Sequence, residues 1–293
     1  MRPEVRTAIK EIQEDGESGA RQLALAALEA LKVFDADCDG EELRESCRRL
    51  ALARPMNTAI ENAVAGAWSQ YLATGNCPAA VEESIEAIEV APEQMSLAAR
   101  KVLPSGTWMT LSYSSSVVEL AKRMRPTKAI ISESRPTNEG LRVAKELVRA
   151  GIPVMLVTEA QMALFVHEAD AVVVGADTIM PDGDFINKIG TRLLALAAKD
   201  AEVPFYTVAE TLKVAAPSEP VPFAPQEGKA REVCDEKWLE VRNVYYEVTP
   251  ARLVTAYVTE QGVLDPADVQ RFAAEAERRW TALMNSNEVG VGA

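Results

Sequence analysis

The stretch AVVVGADTIMPDGDFINKIGTRLLALAAKD, residues 171–200, decides the fold. It opens on the apolar, β-branched run Ala171 to Val174. A near-continuous apolar run of this length reads as a strand buried on both faces. Gly175 lets the backbone turn, so Asp177 falls just past the strand end. Pro181-Asp182-Gly183-Asp184 has the composition of a tight turn. From Asn187-Lys188-Ile189-Gly190-Thr191 onward the spacing is expected to open a helix. A buried strand leading into a helix is the building unit of a parallel α/β sheet.

The same alternation extends to both sides. TWMTLSYS (107–114), KAIISES (128–134), VMLVTE (154–159) and VPFYTVA (203–209) are further strand candidates. SSVVELAKRM (115–124), NEGLRVAKELVRAG (138–151) and KIGTRLLALAAKD (188–200) read as the helices between them. RNVYYEVTPARLVTAYVTEQG (242–262) supplies a last strand-like stretch and DPADVQRFAAEAERRWTALM (265–284) a closing helix. Between them, the proline-rich run at 214–230 reads as a loop, and a loop of that length is often functional. The small polar tail NSNEVGVGA (285–293) is expected to fray.

Before residue 105 the period changes. GARQLALAALEALKVF (19–34), GEELRESCRRLALA (40–53), MNTAIENAVAGAWSQYLA (56–73) and AAVEESIEAIEVAPEQMSLAARKVL (79–103) carry apolar residues at three-and-four spacing. Asp39-Gly40 and Gly75-Asn76 mark turns, and Pro55 suits a helix opening. The expected organisation is therefore a helical N-terminal domain, 1–105, followed by a Rossmann-like parallel-sheet domain, 106–293.

Composition narrows the function. Lys and Arg total 31 against 44 Asp and Glu, a formal net charge of −13. Such a chain repels nucleic-acid backbones, so no direct nucleic-acid contact is expected. No run approaches the roughly 18 apolar residues of a membrane helix. Residues 1–17 show no apolar core followed by a cleavage site, so a cytoplasmic protein is expected. Cys38, Cys47, Cys77 and Cys234 lack metal-site spacing and read as reduced structural thiols, with no metal or cofactor expected. The single histidine, His167, reads as a helix-end residue, so any mechanism has to run without histidine.

In a doubly wound sheet, ligands bind beyond the carboxyl ends of the strands. That rule selects SYSSS (112–116), ESRPTNEG (133–140), the segment 175–191, and ETLK (210–213). A carboxylate at Asp177 is poorly solvated there and suits a base, an acid or a hydroxyl clamp. Free N–H groups at a helix start, the Lys188 ammonium and the Thr191 hydroxyl would together make an anion site. On the alternative reading Asn187 merely caps the helix and Lys188 is solvated. Arg135 would fork onto phosphate or serve as a surface ion-pair partner, and Lys213 is similar.

Several segments together resemble one family: the sugar-phosphate isomerases that include ribose-1,5-bisphosphate isomerase and methylthioribose-1-phosphate isomerase, with the alpha, beta and delta subunits of translation initiation factor 2B. They are SGARQLA, ARPMNTAIENAV, SESRPTNEG, GADTIMPDGDFINKIGT, VPFYTVAETLK and RNVYYEVTP with VTEQG, and they run over nearly the whole chain. The resemblance implies a dimer or a multiple of dimers. It also implies a phosphorylated ligand, a sugar phosphate or nucleoside monophosphate, near Arg135, Asn187, Lys188, Lys213, Ser114 and Arg54. The family's isomerases use a cysteine and an aspartate, and the aspartate matches Asp177. The cysteine belongs to a Thr-His-Cys-Asn pattern, where this chain reads Thr110-Leu111-Ser112-Tyr113, so Ser112 replaces the catalytic thiol. A hydroxyl is far less acidic than a thiol. Glu17-Ser18 also stands before Gly19-Ala20 where the isomerases place an arginine. Both departures point toward the initiation-factor branch, so the expected function is binding of a phosphorylated sugar or nucleotide without the cysteine chemistry. An active aldose–ketose isomerase is the alternative, with Asp177 as acid/base and Ser112 or a water assisting. A purely structural scaffold is the third reading.

Overall fold

The computed structural model describes residues 1–15, 18–54, 57–218 and 227–285. Glu17, Pro55, residues 219–226 of the proline-rich loop and residues 286–293 of the tail lie outside the described residues. The chain forms two compact units, residues 1–91 with 211–221 and 270–293, and residues 92–210 with 222–269.

The first unit is built from helices whose ends follow from local chemistry. They are α1 (Pro3–Glu14), α2 (Ala20–Leu31), α3 (Gly40–Ala51), α4 (Thr58–Thr74) and the first part of α5 (Cys77–Ala99). Asp39 accepts the Glu41 N–H and Asn57 the Ile60 N–H, each capping a helix start. Gly75 ends α4 at φ 67°, a left-handed stop that glycine adopts without a Cβ penalty. On α2, Leu23, Ala24, Ala27, Leu28 and Leu31 are all buried, the one apolar face the spacing predicts. The closing helix (Val269–Met284) completes this core: Trp68 Nε1 donates to the Ala282 carbonyl at 3.1 Å and Arg44 Nε to that of Leu283 at 3.0 Å. Cys47 and Cys77 are buried here, and burial pushes the Cys77 thiol up to about 12, so it is a poor nucleophile at neutral pH.

The second unit carries the sheets. In chain order it contains β1 (Thr107–Thr110), α6 (Ser115–Met124), β2 (Lys128–Ser132), α7 (Glu139–Arg149), β3 (Val154–Val157), α8 (Met162–Phe165) and β4 (Ala171–Val174). There follow β5 (Thr178–Ile179), β6 (Phe185–Lys188), α9 (Thr191–Asp200), β7 (Phe205–Val208), β8 (Tyr246–Thr249), β9 (Ala256–Thr259) and β10 (Gly262–Leu264). The main sheet has seven strands in the order β10-β9-β7-β4-β1-β2-β3, parallel except for the β9–β10 hairpin. Trp108, Ala129, Ile131, Ala171 and Val173 pack with α6 and α7 on one face, while α9 lies against β4 and β7. The α/β arrangement after a helical region is therefore the one read from the sequence.

Two local readings are corrected. The stretch 242–262 runs through three strands rather than one, because Pro250 and the turn at Glu260-Gln261 interrupt it. Asn187 and Lys188, expected to open a helix, end β6, the centre of a separate antiparallel sheet β5-β6-β8. The tight turn around Pro181–Gly183 dictates this, since a connection so short joins only antiparallel neighbours. There Gly183 takes φ 85° and donates to the Met180 carbonyl at 2.9 Å. His167 is exposed on a short 3-10 turn, Val166–Glu168. Among the described residues no helix is long and apolar enough to cross a membrane.

Candidate functional site

Strand order locates the crevice. The chain runs from β1 outward through β2 to β3, then returns to place β4 on the other side of β1. The switch point lies between β1 and β4, and ligands of open α/β sheets bind outside the carboxyl ends there. Ser112 follows β1 and Asp177 follows β4.

The backbone at this rim is strained. Ser112, Ser134 and Asn138 have φ of 60°, 63° and 57°, a left-handed conformation that costs a residue with a Cβ about 1 kcal/mol or more. Hydrogen bonds hold them: the Ser112 N–H donates to Ser134 Oγ at 2.7 Å, and the Ser134 N–H to Glu159 Oε1 at 2.7 Å. The Arg135-Pro136 peptide in the same loop is cis. Helix α7 then starts hard against β2. A Cβ on Gly140 would lie 1.8 Å from the Ser132 carbonyl oxygen, so only glycine permits the approach.

That approach carries Glu139 into the crevice, where three donors converge on its carboxylate. Ser112 Oγ donates at 2.6 Å, Thr137 Oγ1 at 2.8 Å and Lys188 Nζ at 2.8 Å. Lys188 also donates to Thr137 Oγ1 at 3.2 Å, and its ammonium lies 5.1 Å from the centroid of the Tyr245 ring. The residue is only 3% exposed, so these neighbours take the place of the water its side chain lacks. Burial works to raise the Glu139 carboxyl, but the hydrogen bonds from Lys188 and Ser112, with the ammonium charge, hold it below its ordinary value. It is a carboxylate at neutral pH. Tyr245 is fixed in turn: its hydroxyl donates to Glu232, which also accepts from Asn243 Nδ2. A Cβ on Gly228 would fall 2.4 Å from the Tyr245 ring, so that glycine makes room for it.

Past the end of the neighbouring strand, Asp177 is half-buried and its N–H donates to the Ile186 carbonyl at 2.9 Å. Ser114 caps α6 by accepting the Val117 N–H. A Cβ on Gly175 would lie 2.5 Å from Ser114 Oγ, so the two loops of the crevice touch.

The remaining sequence candidates fare differently. Asn187 is buried on β6 and donates to Thr191 Oγ1 at 3.0 Å, and that hydroxyl donates to the Lys188 carbonyl at 2.6 Å. It does not cap α9. The N–H groups of Gly190 and Arg192, expected to be free for an anion, donate to the Glu247 carboxylate at 2.6 and 3.0 Å. Pairing of β6 with β8 brings Glu247 opposite Asn187 and hence to that helix start. Arg135 is exposed and donates to the Val233 carbonyl at 3.1 Å. Tyr113 turns toward α7, where its hydroxyl donates to Glu146 at 3.1 Å. Arg54 and Lys213 belong to the first unit. Arg54 donates to the Asp15 carbonyl at 2.7 Å, and Lys213 is buried on a turn whose carbonyls at Leu212 and Val214 accept from Asn62.

Sequence reasoning did not single out Glu139, Thr137 or Tyr245. A signal for Glu139 existed: an acidic residue directly after Asn138 at the start of a helix that follows a strand. Among the described residues no group of three or more His, Cys, Asp or Glu is placed to hold a metal ion. Chemically, the crevice offers one buried ammonium, two hydroxyls, a bonded carboxylate and, on the adjacent loop, a second carboxylate.

Comparison with known proteins gives three findings. Residues 16–266 match the profile of the family described as Initiation factor 2 subunit family. Ribose 1,5-bisphosphate isomerase of Archaeoglobus fulgidus is 33% identical, with 90% of each chain aligned. A Pyrococcus abyssi protein named putative translation initiation factor eIF-2B subunit 2-like is 38% identical, over 62% of this chain and 66% of its own length. The chain thus spans just under two thirds of that relative. In structure it is similar to the Pyrococcus horikoshii translation initiation factor eIF-2B, with a TM-score of 0.76 at 29% identity, covering 92% of this chain and all of that one. On a profile match over most of its length and a relative aligned across nine tenths of both chains, the chain belongs to the initiation factor 2 subunit family.

Proposed function

We propose that this chain binds a phosphorylated pentose at the carboxyl rim of β1 and β4 and interconverts its aldose and ketose forms. The observation that carries the reading is the cluster at the switch point, where buried Lys188 and the Ser112 hydroxyl meet on Glu139. An ammonium flanked by hydroxyl donors suits a phosphate group. Asp177, half-buried past the neighbouring strand, suits the proton transfer between adjacent carbons that such an isomerisation requires. Ser112 takes the position of the family's thiol. Its hydrogen bond to a carboxylate makes its oxygen a better proton acceptor than an isolated serine. A relative named ribose 1,5-bisphosphate isomerase, aligned over nine tenths of both chains, favours this reading over binding without turnover.

Binding without turnover is the second reading, and Ser112 is the observation in its favour. A nucleoside monophosphate would share the phosphate chemistry. Leu164 on α8 and Leu193 and Leu196 on α9 are exposed and support self-association as a dimer through this face, which light scattering checks.

The test is an NMR time course with ribose 1,5-bisphosphate. Ribulose 1,5-bisphosphate that forms with the wild type and not with Asp177→Asn supports the isomerase, and Ser112→Cys should then raise the rate. Ligand line broadening without product selects the second reading. Neither product nor broadening sinks both.

A further inference from the structure

We infer that Glu139 is the positioning residue that makes Ser112 a base: its carboxylate takes the serine's hydroxyl proton while the serine oxygen takes a proton from the sugar. The inference rests on the isomerase reading above and adds the group that stands in for the acidity of the family's thiol.

A hydroxyl oxygen accepts a proton from carbon only when its own proton has somewhere to go. Three observations supply the place. First, the carboxylate divides its work. Oε1 accepts from Lys188 at 2.8 Å and from Thr137 at 2.8 Å, whereas Oε2 accepts from Ser112 Oγ at 2.6 Å. A counter-ion to Lys188 needs only Oε1. Second, the backbone holds the serine to this bond. Ser112 takes φ 60° and its N–H donates to Ser134 Oγ at 2.7 Å, a strained geometry that the aim of the hydroxyl at Glu139 accounts for. Third, the pair is reachable and charged. Ser112 is half-buried and the Glu139 side chain 31% exposed. Against the effect of burial, the hydrogen bonds from Lys188 and Ser112 keep that carboxyl ionised at neutral pH and ready to accept.

The balance closes within the site. In ribose 1,5-bisphosphate the C2–H bond breaks, and its proton passes to Ser112 Oγ as the serine's own passes to Glu139 Oε2. The electron pair left on C2 forms the C1=C2 bond. The bond from C1 to the ring oxygen breaks, and that oxygen takes a proton from Asp177. The enol then becomes the ketone. C1 takes a proton from Ser112 as Glu139 returns one to the serine, and the C2 hydroxyl gives its proton to Asp177. Both carboxyl groups end as they began.

A double-mutant cycle on single-turnover rates tests this. E139Q keeps the size of the side chain but takes no proton, and should slow the wild type at least about hundredfold. In S112C the thiol ionises without help, so the same change should cost less than about threefold there. A Glu139 that only shapes the crevice would cost both backgrounds alike. Equal losses therefore overturn the inference and leave the isomerase standing, as does an E139Q rate within about threefold of wild type. Should E139Q fail to fold, E139D keeps the charge beside Lys188 but draws it back from Ser112 by one methylene. It should cost at least about tenfold with the serine and under about threefold in S112C, and equal losses again overturn the inference. Turnover by S112C and none by wild type means that Glu139 does not make the serine a base, and the inference fails alone. If neither forms ribulose 1,5-bisphosphate, the isomerase reading fails and the inference with it.

Discussion

Both ends of the seven-stranded sheet carry charged side chains, but the clefts at the two ends hold their basic residues differently. At the amino end of β7 and β9, Lys199, Glu202, Phe205, Arg252 and Thr255 line a cleft of about 300 Å³. Its two basic residues, Lys199 and Arg252, are exposed. At the carboxyl end Lys188 is buried, and its neighbours are bonded to it and to one another. The backbone divides the same way. Arg125 and Glu202, at φ 53° and 57°, follow the ends of α6 and α9, where left-handed residues are ordinary stops. Ser112, Ser134 and Asn138 terminate no helix and crowd one rim. Volume is thus a poor guide to a site. Charge whose position is settled before a ligand arrives is a better one.

Substitutions at matched places test the contrast. The largest effect is expected at Gly140, where a methyl group meets the backbone carbonyl of Ser132 and neither helix nor strand can yield. Gly140→Ala should cost about 3 kcal/mol or more in denaturant unfolding. Gly106→Ala, at the opposite end, places its Cβ 1.9 Å from the Asp170 carboxylate, a side chain free to swing. It should cost about 1 kcal/mol, the Thr107 N–H to Asp170 bond. Equal losses would erase the difference between the rims.

Next, K188M should abolish methyl phosphate binding. It leaves the Glu139 carboxylate without its ammonium, though water reaches a third of that side chain, so the stability loss should be about 2 kcal/mol. R252M should change stability by less than about 0.5 kcal/mol and leave binding intact. A third measurement uses acid. The Glu139 carboxyl titrates lower in the folded protein than its ordinary value of 4.5. Its stabilisation is thus present above that value and fades as pH falls through the lower folded one. Urea midpoints of E139Q should consequently fall less steeply than those of wild type between about pH 5 and about pH 2. Smallest is Ser112→Gly. Relief of φ 60° and loss of one bond to a carboxylate nearly offset, for a net change within about 0.5 kcal/mol, while any turnover disappears.

Much of this architecture could be read from residue patterns, because period and burial report on the same thing. The Val172–Val174 run had to be a strand buried on both faces, and Asp177 had to follow it. The three-and-four spacing of Leu23 to Leu31 had to be one helix face. Asn187-Lys188 misled, because an Asn followed by Gly-Thr imitates a helix start. What overrode it was pairing with a strand some 60 residues later, which no local pattern records. Glu139 escaped notice for a related reason. Arg135 in the same loop looks like the anion-binding residue, whereas the backbone turns at Ser134 and Asn138 deliver the glutamate to the crevice. Contacts made by tertiary closure are invisible to periodicity.

Glu247 has a kinetic consequence. By holding the first N–H groups of α9 from β8, it clamps the small sheet to that helix, and β6 with Lys188 is the middle strand of the clamp. The lysine therefore cannot be recruited by a closing loop. On the proposed function, ligand capture proceeds by side-chain rotation, on the nanosecond scale of rotamer exchange, so association is expected to follow a single rapid phase with no slow isomerisation behind it, which stopped-flow mixing checks.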